Sequence, residues 1–168
     1  MKTEASWTEL HALAVKAATG AGVPAAQALA FGAMLPRHLA EGGSEKLLAD
    51  ALQSPDMIVS LAHQVETMIE GASLSPCLVT AQNPDVGQRA LLVSWLASLP
   101  CQAEIVALPD GVQAYLSLTA PSSRERPARI TISNDLFALL EKLAALTYVP
   151  DSEASRAAGA GVGAMVLD

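Results

Sequence analysis

The feature that most constrains the fold of this chain is a change in hydrophobic period near residue 72. Before this point, apolar residues recur at the three- and four-residue spacing of amphipathic helices. After it, short apolar runs alternate with turn residues, and Asp110-Gly111 between two such runs is a strong β-hairpin signal. The pattern predicts an α+β fold, with a helical N-terminal half followed by a small, mainly antiparallel sheet and a packed C-terminal helix.

Four helices are expected in the first half. Ser6 and Glu9 have the spacing of a capping box, which predicts that the first helix begins near Trp7. A second helix follows Pro24, and Pro36 is expected to kink or end it. The last two helices are predicted over 44–52 and 55–70, the latter ending at Gly71.

The second predicted helix is apolar nearly all round over 25–35. A helix without a polar face is either buried or part of an interface. Two-fold dimers are the commonest assemblies of soluble proteins. We therefore expect a homodimer.

The second half is predicted to combine strands with two helices. We expect a buried strand at 77–81, a helix at 89–99, hairpin strands at 104–108 and 112–119, a strand at 129–132 and a final helix that begins at Ser133 or Asn134 and packs on the sheet. The expected organisation is a single domain over 1–168, with a helical lobe at about 1–72 and a mixed α/β lobe at about 73–168.

The charge balance excludes some partners. The net charge is −7, whereas nucleic-acid binding needs a basic face. The basic cluster of Arg124, Arg126 and Arg129 is interrupted by Glu125 and Pro127, which is typical of a solvated loop. No apolar run approaches the ~20 residues of a membrane span, and the N-terminus lacks the apolar core of a signal peptide. We expect a cytoplasmic protein that binds neither nucleic acid nor membrane.

Few residues suggest metal or nucleophilic chemistry. His11, His38 and His63 occur singly on three predicted helices, so each is expected at the surface or the edge of the core. Cys77 and Cys101 are interpreted as small hydrophobic residues with reduced thiols. The sequence contains no metal-ligand spacing, phosphate-binding loop or nucleophile elbow, so we predict no metal and no cofactor.

The C-terminal segment carries the candidate ligand-binding residues. Its glycines would let the backbone approach a ligand, successive amides can bind an anion, and an arginine can clamp a carboxylate or phosphate. The alternative is a structural tail in which the arginine pairs with Glu153. A dinucleotide-binding interpretation of the glycines is rejected, because that fingerprint must follow a strand, open a helix and precede an acidic residue about 20 positions later, whereas the last residue here is Asp168. The candidate residues are Tyr148, Ser155, Arg156, Gly159, Gly161 and Gly163.

Two short stretches resemble a bacterial family catalogued only as a domain of unknown function. These are Ala14-Val-Lys-Ala-Ala-Thr-Gly-Ala-Gly22 in the first helix and Thr147-Tyr-Val-Pro-x-Ser-x-x-Ser-Arg-x-x-Gly-Ala-Gly161 near the end. The resemblance implies a small bacterial cytoplasmic protein without an assigned activity. Family members continue into an acidic ending, whereas this chain has an apolar 162–167 before Asp168. A metal or catalytic role of those acids would therefore be lost here.

Three functions remain open at this point. The leading expectation is a non-enzymatic or accessory protein that binds a small anionic metabolite or a partner protein, with the Ser-Arg-Gly segment as its candidate site. The second is a small-molecule enzyme that uses Tyr148, Ser155 and Arg156, although no candidate base lies beside them in sequence. The third is a structural subunit of a larger complex.

Overall fold

The structure is a computed structural model that describes residues 2–74, 78–83 and 85–147. Its element order confirms the α+β prediction, with a helical N-terminal half, small antiparallel sheets and a C-terminal helix. In chain order the elements are β1 (Lys2–Ala5), α1 (Trp7–Gly20), α2 (Ala25–Ala40), α3 (Glu45–Gln53), α4 (Pro55–Leu74), β2 (Leu78–Gln82), α5 (Val86–Ala97), β3 (Cys101–Ala107), β4 (Gly111–Pro121), β5 (Ile130–Ser133), α6 (Asn134–Ala144) and a 3₁₀ turn (Ala145–Thr147).

The start of α1 is determined locally, as predicted. Ser6 Oγ accepts a hydrogen bond from the Glu9 amide at 3.2 Å, and Glu9 Oε2 accepts one from the Ser6 amide at 2.7 Å. These two bonds form the capping box and satisfy two donors that the helix itself cannot satisfy. The capping box places Trp7 and Thr8 in the first turn.

The predicted end at Gly71 is wrong and the second helix does not end at Pro36, because packing overrides the local preference; the alternative of a kink at Pro36 stays a prediction. Helix α2 continues through Pro36 to Ala40, and the proline itself is buried in the core. Helix α4 continues past Gly71 to Leu74. A β-carbon at Gly71 would lie 3.3 Å from Val79 Cγ1, so the glycine lets α4 approach β2 closely. The packing gain outweighs the roughly 1 kcal/mol that glycine costs a helix relative to alanine.

The main sheet has the strand order β2-β4-β3, and both pairings are antiparallel. The predicted hairpin is confirmed, with the Leu108 amide donating to the Gly111 carbonyl at 2.8 Å. The prediction of a buried strand at 77–81 is wrong for its described part. Strand β2 lies at the sheet edge and alternates exposed with half-buried residues, with Leu78 58% exposed.

A second, two-stranded sheet was not predicted. Strand β1 pairs antiparallel with β5, and Ala5 lies opposite Ile130. This pairing joins the N-terminus to the segment that leads into α6. Helix α6 packs chiefly against α1, rather than on the three-stranded sheet as expected. A β-carbon at Gly20 would collide with the Leu143 carbonyl, so this close helix contact depends on the glycine.

Helix α2 lies at the centre of the core. Its buried residues include Phe31, Met34 and Leu35, and it contacts α1, α4 and α5. The apolar surface that suggested a homodimer is thus largely covered within the chain, although Leu29 is 57% exposed. The homodimer and the division into two lobes stay predictions. Among the described residues, no helix is both long and apolar enough to cross a membrane.

Candidate functional site

The residues predicted as a site from the sequence, namely Tyr148, Ser155, Arg156, Gly159, Gly161 and Gly163, lie outside the described residues. Cys77 also lies outside them. The C-terminal site therefore stays a prediction. A different site is visible in the part of the chain that the structure describes.

This site is a cleft of about 640 Å³, which we call the arginine cleft. It lies between the first turn of α1, the C-terminal half of α2, the end of α5 with the chain that follows it, and the loop after β4. Its lining residues are Trp7, Thr8, His11, Ala33, Arg37, Ala97, Ser98, Leu99, Pro100, Pro121, Ser122, Arg124 and Arg126.

Arg37 is the most unusual residue of the cleft, because it is a charged side chain that is only 6% exposed. Its Nη1 donates a hydrogen bond to the Glu125 carbonyl at 2.9 Å. Its Nε is buried and has no hydrogen-bond partner in the described part of the chain. Burial lowers the pKa of the Arg37 guanidinium; Glu41 opposes this, and repulsion from Arg124 and Arg126 adds to it. The group stays protonated, because arginine does not lose its proton in proteins.

Trp7 holds two of the guanidinium groups. The Cζ atom of Arg37 lies 4.9 Å from the centre of the Trp7 ring, and that of Arg126 lies 5.5 Å from it. Both distances fall within the ~6 Å range of cation–π attraction. A tryptophan in the first turn of α1 thus brings together an arginine from α2 and one from the loop after β4.

Glu41 links a third arginine, Arg124, to Arg37. Its Oε1 lies 3.7 Å from Arg37 Nη1 and 3.4 Å from Arg124 Nη1. A single carboxylate oxygen therefore lies between two guanidinium groups. Arg124 also donates from Nη2 to the Ala103 carbonyl at 3.4 Å.

The loop arginines are exposed, as the sequence predicted, but they are not simply solvated. Arg124 and Arg126 line the cleft, whereas Arg129 turns away from it and its Nη1 lies 3.7 Å from Glu9 Oε2. The sequence reasoning missed the cleft because Arg37 lies about 90 residues before this loop. The available signal was an arginine inside an otherwise apolar helix.

The charge of the cleft contrasts with that of the whole protein. The chain has 17 acidic and 10 basic residues, yet none of the described lining residues is acidic. The lining includes the hydroxyl groups of Thr8 and Ser122 and the imidazole of His11. Within the described residues, no hydrogen bond joins His11 to a hydroxyl group of the cleft. This arrangement is typical of anion binding more than of nucleophilic catalysis.

His38, the next residue after Arg37, belongs to a separate network in the core. Its Nε2 lies 3.1 Å from the Ser44 carbonyl, and its Nδ1 lies 2.8 Å from Ser94 Oγ. Since a carbonyl can only accept, Nε2 carries the proton of the neutral ring. Nδ1 is then an acceptor for the Ser94 hydroxyl, whose oxygen also lies 3.2 Å from the Ala90 carbonyl, so these two acceptors share one proton. Burial lowers the pKa of His38, and the bond to Ser44 partly opposes this.

The sequence prediction for His38 was wrong, because this residue is only 2% exposed. The packing of α2 against α5 buries it, and a β-carbon at Gly43 would collide with its ring. Ser94 is also buried, so this Ser–His pair is closed to substrates. His63 is exposed, as predicted, with Nδ1 3.9 Å from Glu66 Oε2.

Other reactive groups do not form a second site. Cys101 is buried, and burial raises the pKa of its thiol, which suits the predicted role as a small hydrophobic residue. Among residues 2–74, 78–83 and 85–147, no cluster of His, Cys, Asp and Glu could hold a metal ion.

The residues of the arginine cleft come from separate stretches of the chain, so no contiguous motif represents it. The case for a site therefore depends on the geometry and charge described above. Compared with models of protein families, with curated proteins and with solved structures, the chain matches none.

Proposed function

We propose that this protein is an accessory domain that binds a small anionic ligand in the arginine cleft. The observation that carries the proposal is Arg37, a buried cation that lines a cleft together with two further arginines and whose Nε has no hydrogen-bond partner among the described residues. A buried charge is costly unless it is paired, and three neighbouring guanidinium groups repel one another. A bound anion would offset the repulsion among the three guanidinium groups.

The contacts around the cleft favour binding over catalysis. Arg37, Trp7 and Arg126 form a preorganised donor set, so little side-chain entropy would be lost when an anion binds. Nucleophilic catalysis would need a base beside a nucleophile, and His11 has no such partner among the described residues. The enzymatic and structural-subunit alternatives lack a comparable observation in their favour.

The experiment compares thermal stability in sulfate and chloride at equal ionic strength. Sulfate should raise the Tm of the wild-type protein, since a ligand that binds only the folded state stabilises it. Arg126→Gln should abolish the rise without altering the fold, because Arg126 is exposed and its contact is with the Trp7 ring. Arg129→Gln is the matched control on the same loop and should respond like the wild type.

A sulfate effect of equal size in the wild type and Arg126→Gln would contradict the arginine cleft as the site. Arg156→Gln tests the anion site predicted in the C-terminal segment. Loss of the effect only in Arg156→Gln would assign anion binding to the segment that contains Ser155 and the three glycines.

The location, assembly and origin of the protein belong to the same proposal. The sequence features support a cytoplasmic bacterial protein of the uncharacterised family that it resembles, acting as a homodimer without nucleic acid. The net charge of −7 supports the exclusion of nucleic acid. Light scattering at micromolar concentration tests the assembly, and a monomer mass would contradict the homodimer.

A further inference from the structure

We propose that the anion bound in the arginine cleft is a phosphomonoester of a small organic molecule. This inference rests on the proposed anion-binding function. It starts from the charges at the cleft. Arg37, Arg124 and Arg126 carry three positive charges, and the Glu41 carboxylate compensates for one of them, which leaves an excess of two. A doubly charged anion matches this excess, whereas a monocarboxylate leaves one charge unpaired.

The positions of the arginines favour two negative charges on one centre. Glu41 Oε1 lies within 3.7 Å of Nη1 of both Arg37 and Arg124, so the two groups converge on one oxygen position. Trp7 holds Arg126 beside Arg37 through its ring. A phosphoryl group presents three oxygens from one atom, and guanidinium groups can bind them in bidentate fashion.

The first turn of α1 adds main-chain donors at the same cleft. Trp7 and Thr8 are its first two residues and both line the cleft. The capping box uses the amides of Ser6 and Glu9, and helix geometry provides no intrahelical acceptor for those of Trp7 and Thr8. A helix N-terminus favours phosphate, and Arg37 is an independent indication of an anion here, because this cation is only 6% exposed, lines the same cleft and has an Nε without a hydrogen-bond partner among the described residues.

The rest of the cleft suits the organic part of an ester. The cleft volume of about 640 Å³ falls in the usual range for small-molecule sites. Apolar groups provide contact area that inorganic phosphate cannot use. These residues are Ala33, Ala97, Leu99, Pro100 and Pro121.

The test is isothermal titration of the full chain with phenyl phosphate, isophthalate and inorganic phosphate at equal ionic strength and pH 8. Phenyl phosphate and isophthalate share a ring, but isophthalate divides its two charges between two carboxylates. We expect phenyl phosphate to bind at least tenfold more tightly than isophthalate and severalfold more tightly than inorganic phosphate. Arg126→Gln should weaken the binding of phenyl phosphate about tenfold, and Arg129→Gln should leave it unchanged.

The possible failures are distinguishable. Isophthalate that binds as tightly as phenyl phosphate, and depends on Arg126, would overturn the phosphomonoester while leaving anion binding intact. Equal affinity for inorganic phosphate and phenyl phosphate would contradict the claim that the cleft binds the organic part of an ester. If a phosphoserine pentapeptide bound more tightly than phenyl phosphate, the bound phosphoryl group would belong to a partner protein, and the proposal of a small-molecule ligand would be wrong. If no probe binds in an Arg126-dependent way, the proposed function fails as well.

Discussion

Arg37 and His38 are consecutive residues of α2, and both are almost completely buried, yet their surroundings differ. The two ring nitrogens of His38 are both hydrogen-bonded, to Ser94 and to the Ser44 carbonyl. Arg37 lies near two other cations, and its buried Nε–H has no partner in the part of the chain that the structure describes. One residue belongs to a complete polar network in the core, and the other belongs to a cleft that is open to a ligand.

The difference shows that burial alone does not identify a functional polar residue. Natural cores contain satisfied polar groups, and these contribute to structural specificity. A buried cation that lines a cleft beside two other arginines is surrounded by excess positive charge, and binding of an anion would offset that charge. On this basis we expect changes at His38 to affect stability and changes around Arg37 to affect anion binding.

The largest effect should come from His38→Leu. The substitution removes the partner of the Ser44 carbonyl and one of the two partners of the Ser94 hydroxyl, which should lower the free energy of unfolding by about 2–3 kcal/mol. Sulfate stabilisation should persist. Urea unfolding with and without sulfate measures both quantities. If His38→Leu lost its stabilisation by sulfate but kept the wild-type free energy of unfolding, His38 would belong to the anion site and not to the core network.

Trp7→Leu should have the next largest effect, and it tests the surroundings of Arg37. It removes two cation–π contacts at once and should lower the free energy of unfolding by about 1–2 kcal/mol. Because the variant also releases Arg126, the anion affinity should fall about tenfold. Ligand titration by calorimetry tests this. Ser6→Ala, which removes the N-cap of the same helix at a residue that does not line the cleft, is the control for general disturbance of the α1 terminus. An unchanged affinity in Trp7→Leu would show that the ring does not position the arginines.

His38 should also make stability depend on pH. Its pKa is lowered in the folded state, so the unfolded chain takes up the proton first as the pH falls below about 6.5. Stability should therefore rise with pH from the lowered pKa up to about 6.5, by at most about 1.4 kcal/mol per pH unit. Urea unfolding between pH 5 and pH 8 measures this slope.

The matched variants for this measurement are His38→Gln and His63→Gln. His38→Gln should flatten the slope, whereas His63→Gln, at an exposed position, should retain it. If both variants keep the wild-type slope, then His38 does not control this pH dependence.

The smallest effect is expected for Glu41→Gln. The Glu41 carboxylate competes with a ligand for Arg37 and Arg124, so its neutralisation should strengthen anion binding about threefold. Glu66→Gln is the control, because Glu66 is an exposed carboxylate outside the cleft, and this variant should bind the anion like the wild type. Glu45 is unsuitable as a control, because it accepts a hydrogen bond from the Ser133 amide. Weaker binding in Glu41→Gln would mean that the carboxylate positions the arginines more than it competes.

Much of the fold could be predicted from short stretches of sequence. The Ser6–Glu9 capping box, the Asp110-Gly111 turn and the N-cap at Ser133 all appear where the residues indicate them. Strand β1 could not be predicted, because its four residues acquire strand structure by pairing with β5, about 130 positions away. The same limitation explains α6, whose neighbour is α1 rather than the adjoining sheet.

The sequence by itself determined the elements whose hydrogen bonds and apolar periodicity are local, together with the α+β class that follows from their order. Only the tertiary structure decided which polar residues meet. Trp7, Arg37 and Arg126 are far apart in sequence, and the packing of α1 against α2 with the loop after β4 brings them into one cleft. The physical reason is that charge and desolvation depend on distances in space, which residue spacing along the chain does not determine.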